Sequence, residues 1–134
     1  MITRQRVPSH RRIHHTAGIF VIHFPMALEP AIYSFTRRLS SEYCGGYWHF
    51  YELSNGGFYM APDDDTLYSV SCENGFEISM TGEALGITAC LYAYSRLSFS
   101  VDAEVSGLCA RHYHLLRDFM MDHGEVGAIL GAID

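Results

Sequence analysis

Histidine and acidic residues at short spacing are the first candidates for chemistry in this chain. His49 and Glu52 lie three residues apart, and His112 and His114 lie two residues apart. A catalytic metal ion needs about three converging protein ligands. Residues two apart do not share a face of a helix, and residues three apart point to opposite sides of a strand. We therefore expect no metal site at either pair.

Three consecutive carboxylates, Asp63, Asp64 and Asp65, form a second candidate. A magnesium-dependent nuclease holds its ion with one or two carboxylates and the substrate phosphates. No basic residue close to this run is placed to hold a phosphate, and consecutive acids in a loop are typical of a solvated turn. The chain also lacks the nucleophile-elbow, phosphate-loop and dinucleotide-binding patterns. The sequence predicts no catalytic residue, no cofactor and no enzyme activity.

Charge is unevenly distributed along the 134 residues. The first twelve contain four arginines and no acid, which leaves five arginines against fifteen acidic residues in the remainder. We predict that residues 1–15 are a solvated, mobile basic start, with contact to nucleic acid or to an acidic partner as the alternative. The acidic remainder argues against strong DNA binding. It is also too sparse to imitate DNA, because a mimic of a dozen base pairs needs about two dozen ordered carboxylates.

Length and cysteine spacing predict one domain, residues 1–134, that holds together without disulfides. The four cysteines are separated by 28, 18 and 19 residues, which matches no zinc or redox pattern, and we expect reduced, buried thiols. The apolar run at 17–24 is too short to cross a bilayer and is followed by no signal-peptide cleavage site. We interpret that run as a strand and expect a cytoplasmic protein without membrane contact.

The middle of the chain predicts a β-hairpin. Aromatic and aliphatic runs at 47–53 and 58–61 flank an Asn-Gly pair, the strongest short-range hairpin signal. A two-residue loop at 55–56 places Leu53 opposite Phe58. This register gives one apolar face and one face with Trp48, Phe50 and Tyr59 beside Glu52. The second face is either covered by the N-terminal segment or partly exposed as a contact surface.

A second hairpin and four helices complete the predicted elements. For the second hairpin we choose a three-residue loop with a left-handed Gly75, which pairs Val70 with Ile78. Apolar periodicity predicts helices at about 29–41, 82–98, 105–120 and 126–133, the second of them capped by Thr81 and the most buried. Strands grouped between helices indicate an α+β fold: a mainly antiparallel sheet of about four strands packed in two layers against three to four helices.

The stretch CGGYWHFYELSNGGFYMAP at 44–62 resembles the antirestriction family of ArdB and KlcA, small proteins of plasmids and other mobile elements. The similarity continues through HYHLLRDF to the end of the chain, from about residue 29 to residue 134. It implies the same α+β class. It also implies an antirestriction protein that protects incoming mobile DNA from type I restriction-modification enzymes.

Because the chain has too few acidic residues to mimic DNA, we hypothesise a non-catalytic inhibitor that contacts the restriction-modification complex or an accessory factor. Aromatic anchors with a polar rim suit a protein partner. The expected contact residues lie in the first hairpin and the loop after it: Trp48, Glu52, Tyr59, Asp63, Asp64 and Asp65. The alternative is a nucleic-acid-binding module that stacks bases on the aromatic sheet face and uses the arginine-rich N-terminus.

Overall fold

The computed structural model describes residues 1–134, the whole chain, as an α+β protein with five strands and five α-helices. A short 3-10 turn at Ser9–Arg11 and a π-helical turn at Phe24–Leu28 flank the first α-helix. In chain order the elements are β1 (Arg4–Arg6), α1 (Arg12–Phe20), α2 (Glu29–Leu39), β2 (Trp48–Leu53), β3 (Phe58–Pro62), β4 (Leu67–Ser71), β5 (Glu77–Thr81), α3 (Gly82–Leu97), α4 (Ala103–Met120) and α5 (Val126–Ile133).

The strands form two small antiparallel sheets. One has three strands in the order β1-β2-β3, and the other is the hairpin β4-β5. The α+β class is therefore confirmed, while the predicted single sheet of both hairpins is wrong, and the predicted counts of about four strands and three to four helices are each too low. The additional strand and helix both lie in the N-terminal segment, where only one strand was expected.

The apolar run at 17–24 is not a strand, and this prediction was wrong. Thr16 and Phe20 are buried four residues apart in α1, and Phe24 and Leu28 are buried four residues apart in the π-helical turn, so each pair follows helical and not strand spacing. The segment accordingly forms α1 and the π-helical turn. Residues 1–15, for which the sequence predicts a mobile basic start, contain β1, the 3-10 turn and the beginning of α1.

The first hairpin is shifted by one residue from the predicted register. Tyr51 pairs with Tyr59, and Leu53 closes a three-residue loop in which its N–H bonds the carbonyl of Gly57 at 2.9 Å. Gly56 takes the left-handed conformation at φ 90° that such a loop requires. The Asn55 side chain stabilises this loop, because it accepts from the Gly57 N–H and donates to a carbonyl of α4, each at 2.9 Å.

The second hairpin confirms its predicted register. Val70 pairs with Ile78, and the Cys72 N–H bonds the carbonyl of Phe76 at 2.9 Å across a three-residue loop. Gly75 has φ 85°, as the loop type demands.

Helix α3 is the centre of the molecule. The predicted cap is present, since the Thr81 hydroxyl accepts from the Ala84 N–H at 3.2 Å. Eleven of the sixteen residues of α3 are buried, and the helix packs against β3, α2, α4 and α5. The sequence prediction that this helix is the most buried one is confirmed.

No single helix of the chain combines the length and apolar character needed to cross a bilayer. The one pair of helical segments that meets both requirements together, Ser9–Phe20 with Phe24–Leu39, is bent by 95°.

Candidate functional site

The aspartate loop, residues 63–65, leaves the three-stranded sheet at the end of β3. Its first N–H donates to the carbonyl of Tyr47 at 2.8 Å, which extends the β2-β3 pairing by one residue. Asp64 shapes the loop, because its carboxylate accepts from the Thr66 N–H at 3.1 Å and from the Tyr68 hydroxyl at 2.6 Å. Asp65 is exposed and its side chain makes no hydrogen bond or ion pair within the chain.

Two side chains adjoin this loop: that of His49 in β2 and that of Tyr47, the residue before β2. His49 Nε2 lies 2.9 Å from an Asp63 carboxylate oxygen. Tyr47 is exposed, its hydroxyl lies 2.6 Å from Ser9 Oγ, and its ring carries the guanidinium of Arg12 at 4.7 Å. The loop therefore presents carboxylates beside an exposed aromatic ring, a combination suited to binding a partner.

His49 and Tyr47 are not among the predicted contact residues, although the strand pairing of the first hairpin places both beside Asp63. In the observed register Tyr47 stands opposite Asp63, so His49, two residues further along β2, shares the face on which Asp63 lies. The shifted register predicted from the Asn-Gly pair hid this neighbourhood.

Two of the predicted contact residues are buried. Trp48 is 2% exposed, and its Nε1 donates to the Tyr43 hydroxyl at 2.8 Å. Tyr59 is fully buried and stacks on Phe119 of α4. Neither side chain reaches the surface, because Trp48 packs against Tyr33 of α2 and Tyr43, and Tyr59 lies where α3 and α4 pack against β3. Of the predicted set, the exposed residues are Glu52, Asp63, Asp64 and Asp65.

Glu52 stands apart from the aspartate loop. It lies in the middle of β2, and its carboxylate is 3.7 Å from His15 Nδ1 of α1. Glu52 and His49 lie three residues apart in β2 and point to opposite sides of the strand, so the structure groups Tyr47 and His49, but not Glu52, with the aspartate loop.

A second polar cluster, which the sequence did not reveal, joins the N-terminus of α3 to β1 and to the α4-α5 connection. Glu83 pairs with Arg4, accepts from the buried Tyr59 hydroxyl at 3.1 Å, and lies 2.7 Å from His123 Nε2. Glu125 accepts from the Thr81 N–H at 3.0 Å. Arg4 and Glu83 are far apart in the chain, so no spacing pattern announces their contact.

The hydrogen bonds of this cluster determine the tautomer of His123. Its Nδ1 accepts from the Glu125 N–H at 3.0 Å, so Nε2 carries the hydrogen and donates to Glu83. Burial lowers the pKa of His123, an effect opposed by Glu125 and reinforced by Arg4. Burial also raises the pKa of Tyr59, while Arg4 opposes that shift. Both side chains are therefore neutral, and the cluster positions backbone elements.

Replacing Glu83 with alanine is expected to lower the free energy of unfolding by about 2 kcal/mol, because the Tyr59 hydroxyl and His123 Nε2 lose their acceptor inside the protein. Glu104 is a matched control: it is also a first-turn glutamate and lies 2.6 Å from His23 Nε2, but its side chain is 60% exposed against 29% for Glu83. Glu104→Ala should cost less than about 1 kcal/mol. If urea unfolding gives the same loss of unfolding free energy for both variants, the hydrogen bonds that Glu83 accepts do not stabilise the protein as proposed.

The two residue pairs considered as metal ligands, His49 with Glu52 and His112 with His114, do not come together at one point. Across the chain, no group of three or more His, Cys, Asp or Glu side chains has a geometry that holds a metal ion. His112 is buried in α4 and His114 is exposed on the same helix. The four cysteines are free thiols, of which Cys90 and Cys109 are buried, and burial raises their pKa to about 12 and about 11.

The aromatic residues of the first hairpin are not a base-stacking platform. Of the six, only Tyr47 is exposed, and the buried ones are Trp48, Phe50, Tyr51, Phe58 and Tyr59. Bases stack on exposed rings flanked by cations. The observed burial thus contradicts the alternative of a nucleic-acid-binding sheet face.

Comparison with known proteins agrees with this fold and this hairpin. A family model described as an antirestriction protein matches residues 41–134. The chain belongs to the antirestriction protein family. The match includes the first hairpin, the aspartate loop and all three C-terminal helices, and it begins after α2.

Relatives from Escherichia coli extend the similarity toward the N-terminus. An antirestriction protein KlcA is 37% identical over 139 aligned residues, which cover 99% of this chain and 95% of the relative. The protein YfjX of strain K12 is 41% identical over 112 residues, which cover 81% of this chain and 72% of the relative.

A solved structure shares the whole fold. It superposes with a TM-score of 0.91 at 36% identity and covers 99% of this chain and 95% of its own. That work describes the KlcA and ArdB proteins as having a novel fold and antirestriction activity against type I DNA restriction systems in vivo but not in vitro. The family expected from the 44–62 stretch is confirmed.

Proposed function

We propose that this protein alleviates restriction of incoming mobile DNA by type I restriction-modification systems, and that it does so as a non-catalytic inhibitor. The observation that carries the proposal is the match over 99% of the chain, at a TM-score of 0.91, to a protein with that activity. The identity of 36% over the same length makes a shared function the simplest inference.

Contact, and not catalysis, is the mode of action that the site favours. The aspartate loop carries exposed carboxylates beside one imidazole, that of His49, and no group of three or more His, Cys, Asp or Glu side chains there could hold a metal ion. The Tyr59 and His123 side chains, which have shifted pKa values, are hydrogen-bonded to Glu83, which also pairs with Arg4 of β1. What remains at the surface is a negatively charged loop beside Tyr47, suited to a basic partner surface.

The arrangement of charge also opposes mimicry of DNA. Five of the fifteen acidic side chains are paired with arginine or histidine of the same chain: Glu52, Asp63, Glu73, Glu83 and Glu104. The carboxylates that remain are fewer than half of the about two dozen that a dozen base pairs would require.

The partner is the type I complex itself or an accessory cellular factor. The related protein is active in vivo but not in vitro. A component that is present in cells and missing from a purified assay explains that difference, so we favour an accessory factor as the partner of the aspartate loop.

The role of the aspartate loop as a contact surface is tested by removing its charge while its conformation is retained. Asp64 must stay, since alanine there would break two hydrogen bonds that shape the loop. Asp63→Asn with Asp65→Asn retains the loop geometry and removes two charges. We expect protection of phage from a type I restricting host to fall about tenfold, the factor that about 1.4 kcal/mol of binding energy gives.

The matched control removes two exposed charges elsewhere, by Asp118→Asn with Asp122→Asn on and just after α4. It should plate like the unaltered protein on restricting cells. If both double variants protect equally well, the aspartate loop is not the contact surface. If the unaltered protein gives no protection against any type I host, the proposed function itself fails.

A further inference from the structure

An apolar cleft of about 480 Å³ lies between α1, the π-helical turn and β2. Phe24 and Phe50 form its buried floor, with their ring centroids 5.6 Å apart. Ile13, Ala17 and Val21 of the α1 segment form one wall, at successive turns of the helix. All of its lining residues except Phe50 precede the range that the family model covers, and Arg12 of the lining adjoins Tyr47 beside the aspartate loop.

Large apolar side chains stand exposed around this cleft. Ile13 is 86% exposed and Met26 is 71% exposed, and Val21 and Ile22 are each more than half exposed. Single exposed hydrophobic residues are common, but here Ile13 and Val21 line the cleft, and Ile22 and Met26 directly follow lining residues in the chain.

The backbone at the rim is strained. Val21 ends α1 at φ 57° and ψ −131°, a conformation that β-branched residues avoid. Such strain persists where the surrounding structure holds it, and it concentrates at ligand clamps and binding sites. Here it turns the chain sharply, so that Val21 and Ile22 remain at the surface and Phe24 returns to the core.

Positive charge at the cleft comes from Arg12, which lines it, and from the neighbouring Arg11. Residues 1–28 contain four arginines and no acid. Arg12 lines the cleft and its guanidinium lies over the rings of Tyr47 and Phe50 at 4.7 and 4.3 Å. One of its terminal nitrogens donates to the Trp48 carbonyl at 2.6 Å, while its Nε has no hydrogen-bond partner. Arg11, the preceding residue, is exposed. Glu29 is the one acid in the lining, and burial raises its pKa, while Arg12 opposes that shift.

We propose that this cleft docks an acidic amphipathic segment of a partner protein, which inserts an apolar side chain between Ile13 and Val21 and turns carboxylates toward Arg11 and Arg12. Helix-in-groove recognition uses this combination of apolar anchors and complementary charge. The inference does not depend on the antirestriction activity, because none of the cleft-lining residues belongs to the aspartate loop, although Arg12 adjoins Tyr47.

Two features favour a protein segment over a membrane surface. A bilayer receives convex apolar residues, whereas this site is concave and its floor is set below the rim. The chain has a net charge of −6, so most of its surface is repelled by anionic lipid. An acidic segment that contacts only the arginine-rich region avoids that repulsion.

The test uses three short helical peptides that share a leucine stripe and differ in their polar face, which is built from glutamate, lysine or glutamine. Fluorescence anisotropy measures their binding to the full chain. We expect the glutamate peptide to bind best and to weaken with salt. Ile13→Glu, at an exposed position, and Ala17→Trp, which fills the cleft, should each weaken it at least about tenfold, as loss of an interface anchor does.

Val101→Glu is the matched control, because Val101 is a fully exposed apolar residue in the α3-α4 connection. It should bind the glutamate peptide like the unaltered chain. The proposal is overturned if the lysine peptide binds equally well or if Ile13→Glu leaves the affinity unchanged. It is also overturned if Ile13→Glu abolishes binding to phosphatidylserine vesicles, or abolishes dimerisation in light scattering, while no peptide binds.

Discussion

Replacing Gly86 with alanine is expected to lower the free energy of unfolding by about 3 kcal/mol, the upper part of the range for overpacking a core. Gly86 lies where α3 crosses β3. A Cβ atom there would stand 2.5 Å from the Cα and Cβ atoms of Ala61 and 2.5 Å from the Met60 carbonyl oxygen. These atoms belong to the strand backbone or are fixed to it, so the helix and the sheet must move apart. Urea unfolding measures the loss.

Gly107 offers the matched control, since it is a glycine in the middle of α4 with no atom within 4 Å of a built Cβ. Gly107→Ala should raise the free energy of unfolding by about 0.5 to 1 kcal/mol, because alanine is the better helix former. If the two substitutions shift the unfolding midpoint in the same direction, the close approach of α3 to β3 is not what requires glycine at position 86.

Position 86 shows which part of the fold can be predicted from a single sequence. The apolar periodicity of α3 and its threonine cap are local, and both predict the helix correctly. Glycine lowers helix propensity wherever it stands, so the sequence makes Gly86 and Gly107 look alike. The difference between them is a contact with β3, and only the packed structure contains it.

The registers of the two hairpins could be predicted unequally well, again because one of them involves a long-range contact. The loop at Gly75 follows from the strand pattern on both sides, because only the three-residue loop pairs apolar residues with apolar residues. The loop at Gly56 has aromatic or aliphatic residues in almost every flanking position, so the pattern does not distinguish the registers. The bonds that Asn55 makes to Gly57 and to α4 accompany the observed register, and the second of them is a long-range contact.

That one-residue shift also explains how far the candidate site could be predicted. The aspartate loop is visible in the sequence and lies at the surface as expected. Its neighbours depend on the register, so Tyr47 and His49 were missed, and the buried Trp48 and Tyr59 were placed on the surface. The Glu83 cluster depends on the position of β1, a strand of three residues that is too short to produce a pattern.

Acidification from about pH 7 to about pH 4 is expected to cost the protein about 3 kcal/mol through His112 alone. The His112 ring lies 4.7 Å from that of Phe20 and 5.7 Å from that of Tyr94, and its Nδ1 is buried without a partner. Burial, with a smaller effect of Arg111, lowers the pKa of His112 from 6.5 to about 4. Between these two pH values the unfolded chain binds a proton that the native protein does not, so stability falls as the pH falls.

His112→Leu should remove this component, because leucine is apolar and carries no titrating group. On acidification from about pH 7 to about pH 4, we expect the unaltered protein to lose about 3 kcal/mol more of its unfolding free energy than His112→Leu loses. Carboxylates and His123 titrate in both proteins and cancel in that difference. His114→Leu, at an exposed position on the same helix, should leave the pH dependence unchanged. An unaltered pH dependence in His112→Leu would show that the buried ring is not the origin of the acid sensitivity.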